Sequence, residues 1–240
     1  MARRLLDIVA SAIGLAVLAL PLGFILVLVW CQDRHSPLYI ASRAGRQGVT
    51  FRMVKIRSMV VNADRSGVES TSANDNRITP LGHFIRRWKI DELGQLWNVL
   101  VGEMSLVGPR PNTLGEVATY SEEERNLLSV RPGMTDFSSI VFSDEGDILQ
   151  DSLDPDADYT RFIRPWKSQL GLVYARNPSA LLNLRLIWLT VIAIFDKRAA
   201  LDRLQPLLAR MGCDRTVAAI ANRTAPRSAY GLPPLERHAR

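Results

Sequence analysis

The stretch RRWKIDELGQLWNVLVGEMSLVGPRP, residues 86–111, sets the adjacent carboxylates Asp91 and Glu92 in a cationic run and ahead of Gly108-Pro109-Arg110-Pro111. Two carboxylates among guanidinium groups can hold a divalent cation and attack a phosphorus centre while the arginines bind phosphate oxygens, so the pattern points to phosphoryl transfer. Just upstream, Thr79-Pro80 fits a helix N-cap followed by proline in the first turn. Leu93, Leu96, Trp97 and Leu100 then recur at helical spacing, which predicts a second amphipathic helix or a continuation of the first past Gly94. On an unbroken helix Asp91 would point away from that apolar stripe and Glu92 would flank it. The plain alternatives are a solvated acid pair at a helix start, a rigid turn at Pro109-Arg110-Pro111 and a helix stop at Arg131-Pro132-Gly133.

Before this block, residues 8–30 contain no charged side chain. At about 1.5 Å per residue the segment is long enough to cross a bilayer core. It exceeds a typical signal-peptide apolar region and lacks a cleavage pattern, so retention is expected. Arg3 and Arg4 precede it, while Arg34, Arg43, Arg46, Arg52, Lys55 and Arg57 follow, so the positive-inside tendency draws both flanks to the cytoplasm. Pro21 lacks an amide donor and opposes the carbonyl of Val17, so a break is expected there. A re-entrant helix-break-helix that enters and leaves one leaflet satisfies both flanks; a kinked spanning helix is the alternative.

The chain has 240 residues, 47% of them hydrophobic, and a formal charge of +6, which suits one catalytic domain with an anchor and anionic partners such as phosphates, sugar nucleotides or lipid headgroups. Cys31 and Cys213 lie too far apart in sequence for a disulfide framework or a zinc pattern, and His35, His83 and His238 stand isolated. Walker-type and dinucleotide glycine loops are absent. Residues 36–59 read as two brief strands with Phe51 and Met53 apolar, residues 60–77 as a loop, and 120–130 as a helix with an acidic start. Residues 143–158 read as an acidic loop and 181–195 as an interfacial or core helix. The tail after residue 198 is rich in Arg, Ala and Pro and is expected to be disordered from about residue 222.

Three stretches, FRMVKIRSM from Phe51, NDNRITPLGHFIRRWKIDELGQLWNVLVGEMSLVGPRP from Asn74 and RPGMT from Arg131, together resemble the bacterial sugar transferase family, the monotopic phosphoglycosyl transferases. The match runs from Arg3 to about Phe195, and the chain looks like the family's small members. The resemblance implies an α+β, mostly helical fold. Residues 1–34 would form the re-entrant membrane hairpin, 35–200 a cytoplasmic catalytic core with interfacial amphipathic helices, and 201–240 a basic tail. It implies transfer of a sugar 1-phosphate from a UDP-sugar to a polyprenyl phosphate such as undecaprenyl phosphate, with release of UMP, starting a surface glycan at the bacterial inner membrane. Asp91 would be the nucleophile and a ligand of Mg²⁺, and Glu92 its partner in metal binding or proton handling. Arg86, Arg110 and Arg131 match phosphate-binding positions, and Lys55 and Arg57 lie in the basic strand motif.

This sequence departs from the family pattern at several positions. Leu20 precedes Pro21 where serine is usual, Gly94 replaces a common proline, Glu103 a usual aspartate, Gly171 and Asn183 stand where acids are frequent, and TDFSSI after Met134 replaces the commoner TGWAQV, pointing to a different subgroup. Rival readings are a non-catalytic membrane scaffold, a glycosyltransferase that releases UDP, and a basic nucleic-acid module. The last is disfavoured, because nucleic-acid binding needs neither an acid pair nor a membrane segment. A homo-oligomer is left open.

Overall fold

The computed structural model describes residues 2–222 apart from 69, 73 and 151. The apolar segment forms a single helix, α1 (Ala2–Asp33), that continues through Pro21. The expected break at Pro21 is therefore not seen as an interruption: losing one amide donor leaves the flanking turns' hydrogen bonds in place. The helix is long and apolar enough to cross a membrane. One stripe of α1 packs on the rest of the protein near both ends. Arg4 donates to the carbonyls of Val99 (2.6 Å) and Leu100 (2.8 Å), and the buried Asp7 accepts from Ser105 Oγ and Leu106 N, each at 3.0 Å. Toward the other end Val29 packs with Ile56 and Ile85, and Asp33 takes a bidentate ion pair from Arg57 at 2.6 and 2.7 Å. The opposite face, including Val17, Leu20 and Phe24, is exposed.

Strands β1 (Leu38–Ala44) and β2 (Thr50–Ile56) form an antiparallel hairpin, with the alternating Phe51 and Met53 buried on one face and Ile56 buried separately against Val29 and Ile85. Helix α2 (Pro80–Arg87) starts as expected: Thr79 Oγ1 accepts from Gly82 N at 3.0 Å. The free edge of β2 is closed by one side chain. Asn98, on α3 (Gln95–Val101), donates to Arg52 O at 2.8 Å and accepts from Val54 N at 2.9 Å, so its amide stands in for a neighbouring strand.

The two proline-arginine motifs meet as parallel strands, β3 (Ser105–Val107) and β4 (Gly133–Thr135). Neither was legible as a strand, because a three-residue pairing across a long sequence separation leaves no local signal. Gly108 and Gly133 lie back to back, and Gly133 N donates to Pro109 O at 2.9 Å. A Cβ on Gly133 would sit 2.0 Å from Gly108 N, and one on Gly108 2.3 Å from Arg131 O. Gly133→Ala must therefore push the strands apart. It is expected to destabilise by about 2–4 kcal/mol, lowering the thermal midpoint by roughly 5–15 °C; an unchanged midpoint would mean the pairing gives way without strain.

Helices α4 (Leu114–Ala118), α5 (Phe137–Val141), α6 (Glu145–Ile148) and α7 (Pro155–Asp158) are short. The helix expected over residues 120–130 is a 3-10 segment, Glu124–Ser129, entered through reciprocal bonds between Ser121 and Glu124. A π-helical turn (Tyr159–Ile163) leads into α8 (Arg164–Arg176), followed by α9 (Ala180–Phe195), α10 (Lys197–Arg210) and α11 (Arg215–Ala221). The largest apolar core joins α5 and α8 to α11. Leu201, Leu204, Leu208, Val217 and Ile220 are buried in it, so the boundary drawn at residue 200 falls inside a packed helix. Disorder expected from about residue 222 concerns positions outside the described residues. On α9, Leu182, Leu186 and Leu189 face the core, while Leu181, Leu184, Trp188, Val191 and Phe195 form an exposed apolar stripe.

Candidate active site

Helix α2 ends at Arg87, and the next residue but one decides where the acids go. Lys89 adopts a left-handed conformation (φ 56°, ψ 23°), and the chain re-enters as a 3-10 turn, Ile90–Gly94, before α3. Non-glycine residues rarely occupy that region, so the turn is held by its surroundings. The break overturns the orientation expected of an unbroken helix: Asp91 is 6% exposed and faces inward. Ile90, packed with Ile56 and Ile85, and Gly94, whose missing Cβ would lie 3.0 Å from Val54 O, seat the turn on β2.

Beside it, β2 supplies Lys55, whose Nζ lies 3.7 Å from Asp91 Oδ2 and 3.8 Å from Glu92 Oε1. From the loop after β3, Arg110 Nη2 donates to Glu92 Oε1 at 2.9 Å. These placements split the two acids. Burial pushes the Asp91 carboxyl up, against the pull of Lys55. Glu92 is also penalised by burial, yet Arg110 and Lys55 outweigh it and hold its carboxyl down at about 2. The Lys55 ammonium is pushed down by burial and by Arg110, and Arg110 is raised chiefly by Glu92. Lys55, Arg86, Lys89 and Arg110 all act on the acid pair, so four cations surround two carboxylates and leave an excess of positive charge for an anionic ligand.

The remaining sequence candidates are distributed unevenly. Arg86, in the last turn of α2, is half-buried, and its side chain makes no hydrogen bond or ion pair among the described residues. Arg57 is engaged with Asp33 and with the Val29 and His35 carbonyls, and Arg131 Nε donates to Gly102 O at 2.9 Å. The structure thus gathers Asp91, Glu92, Lys55 and Arg110, while Arg57 and Arg131 brace α1 and the loop after α3.

Other participants left no sequence signal. Lys89 belongs to the cationic run, yet only its backbone conformation reveals its part. Past Arg110 a polar cleft opens, lined by Asp136, Ser138, Tyr159, Arg164 and Lys167, which sequence separates widely. Lys167 is ion-paired to Glu145, whose charge also reaches Arg110.

A magnesium site is constrained by what is missing. Among the described residues no cluster of three or more His, Cys, Asp or Glu side chains is present. Mg²⁺ is commonly held by one or two carboxylates together with substrate phosphates. Asp91, whose side chain accepts no hydrogen bond among the described residues, fits that mode and not a cage made by protein alone.

Comparison with known proteins identifies the family. The model of the family described as bacterial sugar transferase matches residues 1–197. A UDP-galactose-lipid carrier transferase of Erwinia amylovora is 40% identical over 148 residues, covering 55% of this chain and 31% of the relative. A UDP-glucose:undecaprenyl-phosphate glucose-1-phosphate transferase of Caulobacter vibrioides is 33% identical over 187 residues, covering 75% of this chain and 69% of the relative. An undecaprenyl-phosphate galactose phosphotransferase of Salmonella typhimurium is 38% identical over 148 residues, covering 55% and 31%. The chain therefore spans about a third of the Erwinia and Salmonella relatives. With the family match covering most of its length, the chain belongs to the bacterial sugar transferase family.

Proposed function

We propose that this protein transfers a sugar 1-phosphate from a UDP-sugar to a polyprenyl phosphate, releasing UMP, through a covalent intermediate on Asp91. The observation that carries the reading is the buried Asp91 carboxylate 3.7 Å from Lys55, beside a Glu92 kept ionised by Arg110. An Asp91 oxygen attacks the phosphorus that bears the sugar, the bond to the bridging oxygen breaks, and UMP departs with the electron pair. An oxygen of the lipid phosphate then attacks the same phosphorus, and Asp91 leaves as a carboxylate.

Each residue has a physical task in this scheme. Lys55, Arg86 and Arg110 offset the repulsion between a carboxylate and a dianionic diphosphate and stabilise the charge of the transition state. Glu92 fixes Arg110 and orients it toward the phosphates. Arg57 and Arg131, one step back, hold α1 and the glycine-paired loops in register. Mg²⁺, bound by Asp91 with the donor's phosphate oxygens, would neutralise the diphosphate.

The surface fits a lipid acceptor whose tail stays in the bilayer. Both ends of α1 pack on one globular body while its other face is apolar and exposed, which supports a segment that enters and leaves on the same side. The stripe on α9, with the exposed Arg185 near its start, suits a helix lying among headgroups. On this reading the core lies on the cytoplasmic face of the bacterial inner membrane. With Cys31 and Cys213 replaced by serine, Ala2→Cys is expected to be protected in intact cells from a membrane-impermeant maleimide. Labelling from outside would mean that α1 spans.

The activity itself is tested by UMP release from the purified protein in nanodiscs with Mg²⁺, undecaprenyl phosphate and a panel of UDP-sugars. UMP is the expected by-product. Release of UDP would instead indicate a glycosyltransferase, and no release from any donor would favour a scaffold.

A further inference from the structure

Asp7 is a carboxylate of the apolar helix α1 and is 3% exposed. Burying such a group is costly unless it is hydrogen-bonded. Its Oδ1 takes both of its bonds from β3, one from Ser105 Oγ and one from Leu106 N, each at 3.0 Å. Three residues earlier on the same helix face, Arg4 donates to Val99 O at 2.6 Å and Leu100 O at 2.8 Å, two carbonyls of the last turn of α3. Gly102 leaves room for that guanidinium: its φ is 95°, and a Cβ there would lie 3.1 Å from Arg4 Nη2.

The two contacts lead to the two halves of the candidate site. Helix α3 continues the 3-10 turn that carries Asp91 and Glu92, and β3 runs directly into Gly108-Pro109-Arg110. Between the partners of Asp7 and Arg110 the backbone has little slack. Ser105 N donates to Pro132 O, Gly108 N to Thr135 O and Gly133 N to Pro109 O, each at 2.9 Å. A displacement of β3 is therefore passed along to Arg110, whose own bond to Glu92 is 2.9 Å long.

We infer that the first two turns of α1 are a strut of the active site: Arg4 and Asp7 fix the acid-pair element and the Arg110 loop relative to each other, and Asp7 is a positioning residue for Arg110. The inference rests on the phosphoglycosyl transfer proposed above and makes the apolar helix part of the site's frame as well as an anchor. Hydrogen bonding, not charge, is the means. Both bonds to Asp7 end on one oxygen, so an amide oxygen can replace it, whereas alanine leaves Ser105 Oγ and Leu106 N without that acceptor. A misplacement of about 1 Å caused by a change far from the chemistry can cost on the order of 100-fold in rate.

The test uses the full-length protein in nanodiscs with Asp7→Ala, Asp7→Asn and Arg110→Ala, and reads kcat and KM for UMP release together with the inhibition constant of UDP. That constant does not depend on how much of a preparation is folded, so it separates a misplaced Arg110 from a loss of protein. Asp7→Ala is expected to lower kcat/KM about 30- to 100-fold and to weaken UDP about tenfold, while Asp7→Asn stays within about threefold of wild type on both. In an Arg110→Ala background Asp7→Ala should cost less than about threefold more, because the group it positions is gone. If Asp7→Ala does not accumulate, Ser105→Ala, which removes one of the two donors, should still weaken UDP about threefold. The inference is overturned if kcat falls with the UDP constant unchanged, if the Asp7 and Arg110 effects multiply in full, or if Asp7→Asn is as impaired as Asp7→Ala. In those cases wild-type UMP release still stands. A wild type that releases UMP from no donor removes the parent reading, and this inference with it.

Discussion

Asp91→Asn is expected to abolish both UMP release and the labelled phosphosugar adduct, a loss of about 10,000-fold or more in kcat. The substitution removes nucleophilicity while nearly preserving volume, so the site keeps its shape. Glu92 retains Arg110 at 2.9 Å and Lys55 at 3.8 Å. Stability should hold or rise, because a carboxylate whose ionisation is penalised by burial is exchanged for a neutral amide. That separates a chemical defect from a folding defect, the confusion that usually blunts such an experiment. With a donor labelled in the sugar and no lipid acceptor, wild-type protein should carry label through denaturation and the variant none. Persistence of the adduct in the variant would move the nucleophile to another group, with Glu92 the nearest. No adduct in the wild type, with UMP released only once the lipid acceptor is added, would instead mean direct attack by the lipid phosphate.

The pH dependence follows from the same burial. Asp91 reacts as the carboxylate, and burial raises its pKa, so activity should fall as pH drops through that raised value, above the ordinary aspartate range. Glu92, held at about 2, stays ionised through that interval and does not set the limb.

The site was legible in sequence wherever its chemistry is written contiguously. Asp91 and Glu92 stand in one cationic run, and Thr79-Pro80 announced α2 through capping that depends on neighbours only. The direction in which Asp91 points was not legible. It hangs on the left-handed Lys89, a conformation that tertiary packing imposes against the residue's own preference. The union of Gly108 with Gly133 was missed for a different reason: each motif reads locally as a turn or a helix stop, and the contact that gives both their meaning spans the fold. Asn98, too, reads as one polar residue on a helix until its amide is seen closing the β2 edge next to Lys55. Resemblance to a known family supplied the proposed nucleophile but not the turn that buries it.

Arg110→Ala should cost about 100- to 1,000-fold in kcat/KM, since it removes a guanidinium from the position where phosphate charge develops. The effect has two parts, which can be separated. One is the lost contact with the ligand; the other is a stranded Glu92, buried and left with Lys55 3.8 Å away as its remaining ion-pair partner. Without Arg110 the burial penalty on Glu92 is no longer outweighed, so its carboxyl rises from about 2 toward and beyond the ordinary range. A protonated Glu92 would then appear in the pH–rate profile, moving the acid limb to higher pH, whereas a defect in ligand contact alone would lower the plateau and leave the limb in place. Arg110→Lys restores charge but not the planar fork, so it should recover the limb more fully than the plateau. Arg110 sits beside the acid pair on the loop that the glycine pair fixes, so the same variant should weaken UDP-sugar and UDP alike. Near-wild-type turnover in Arg110→Ala would reduce the residue to a member of a rigid turn, and phosphate binding would then fall to Lys55 and Arg86.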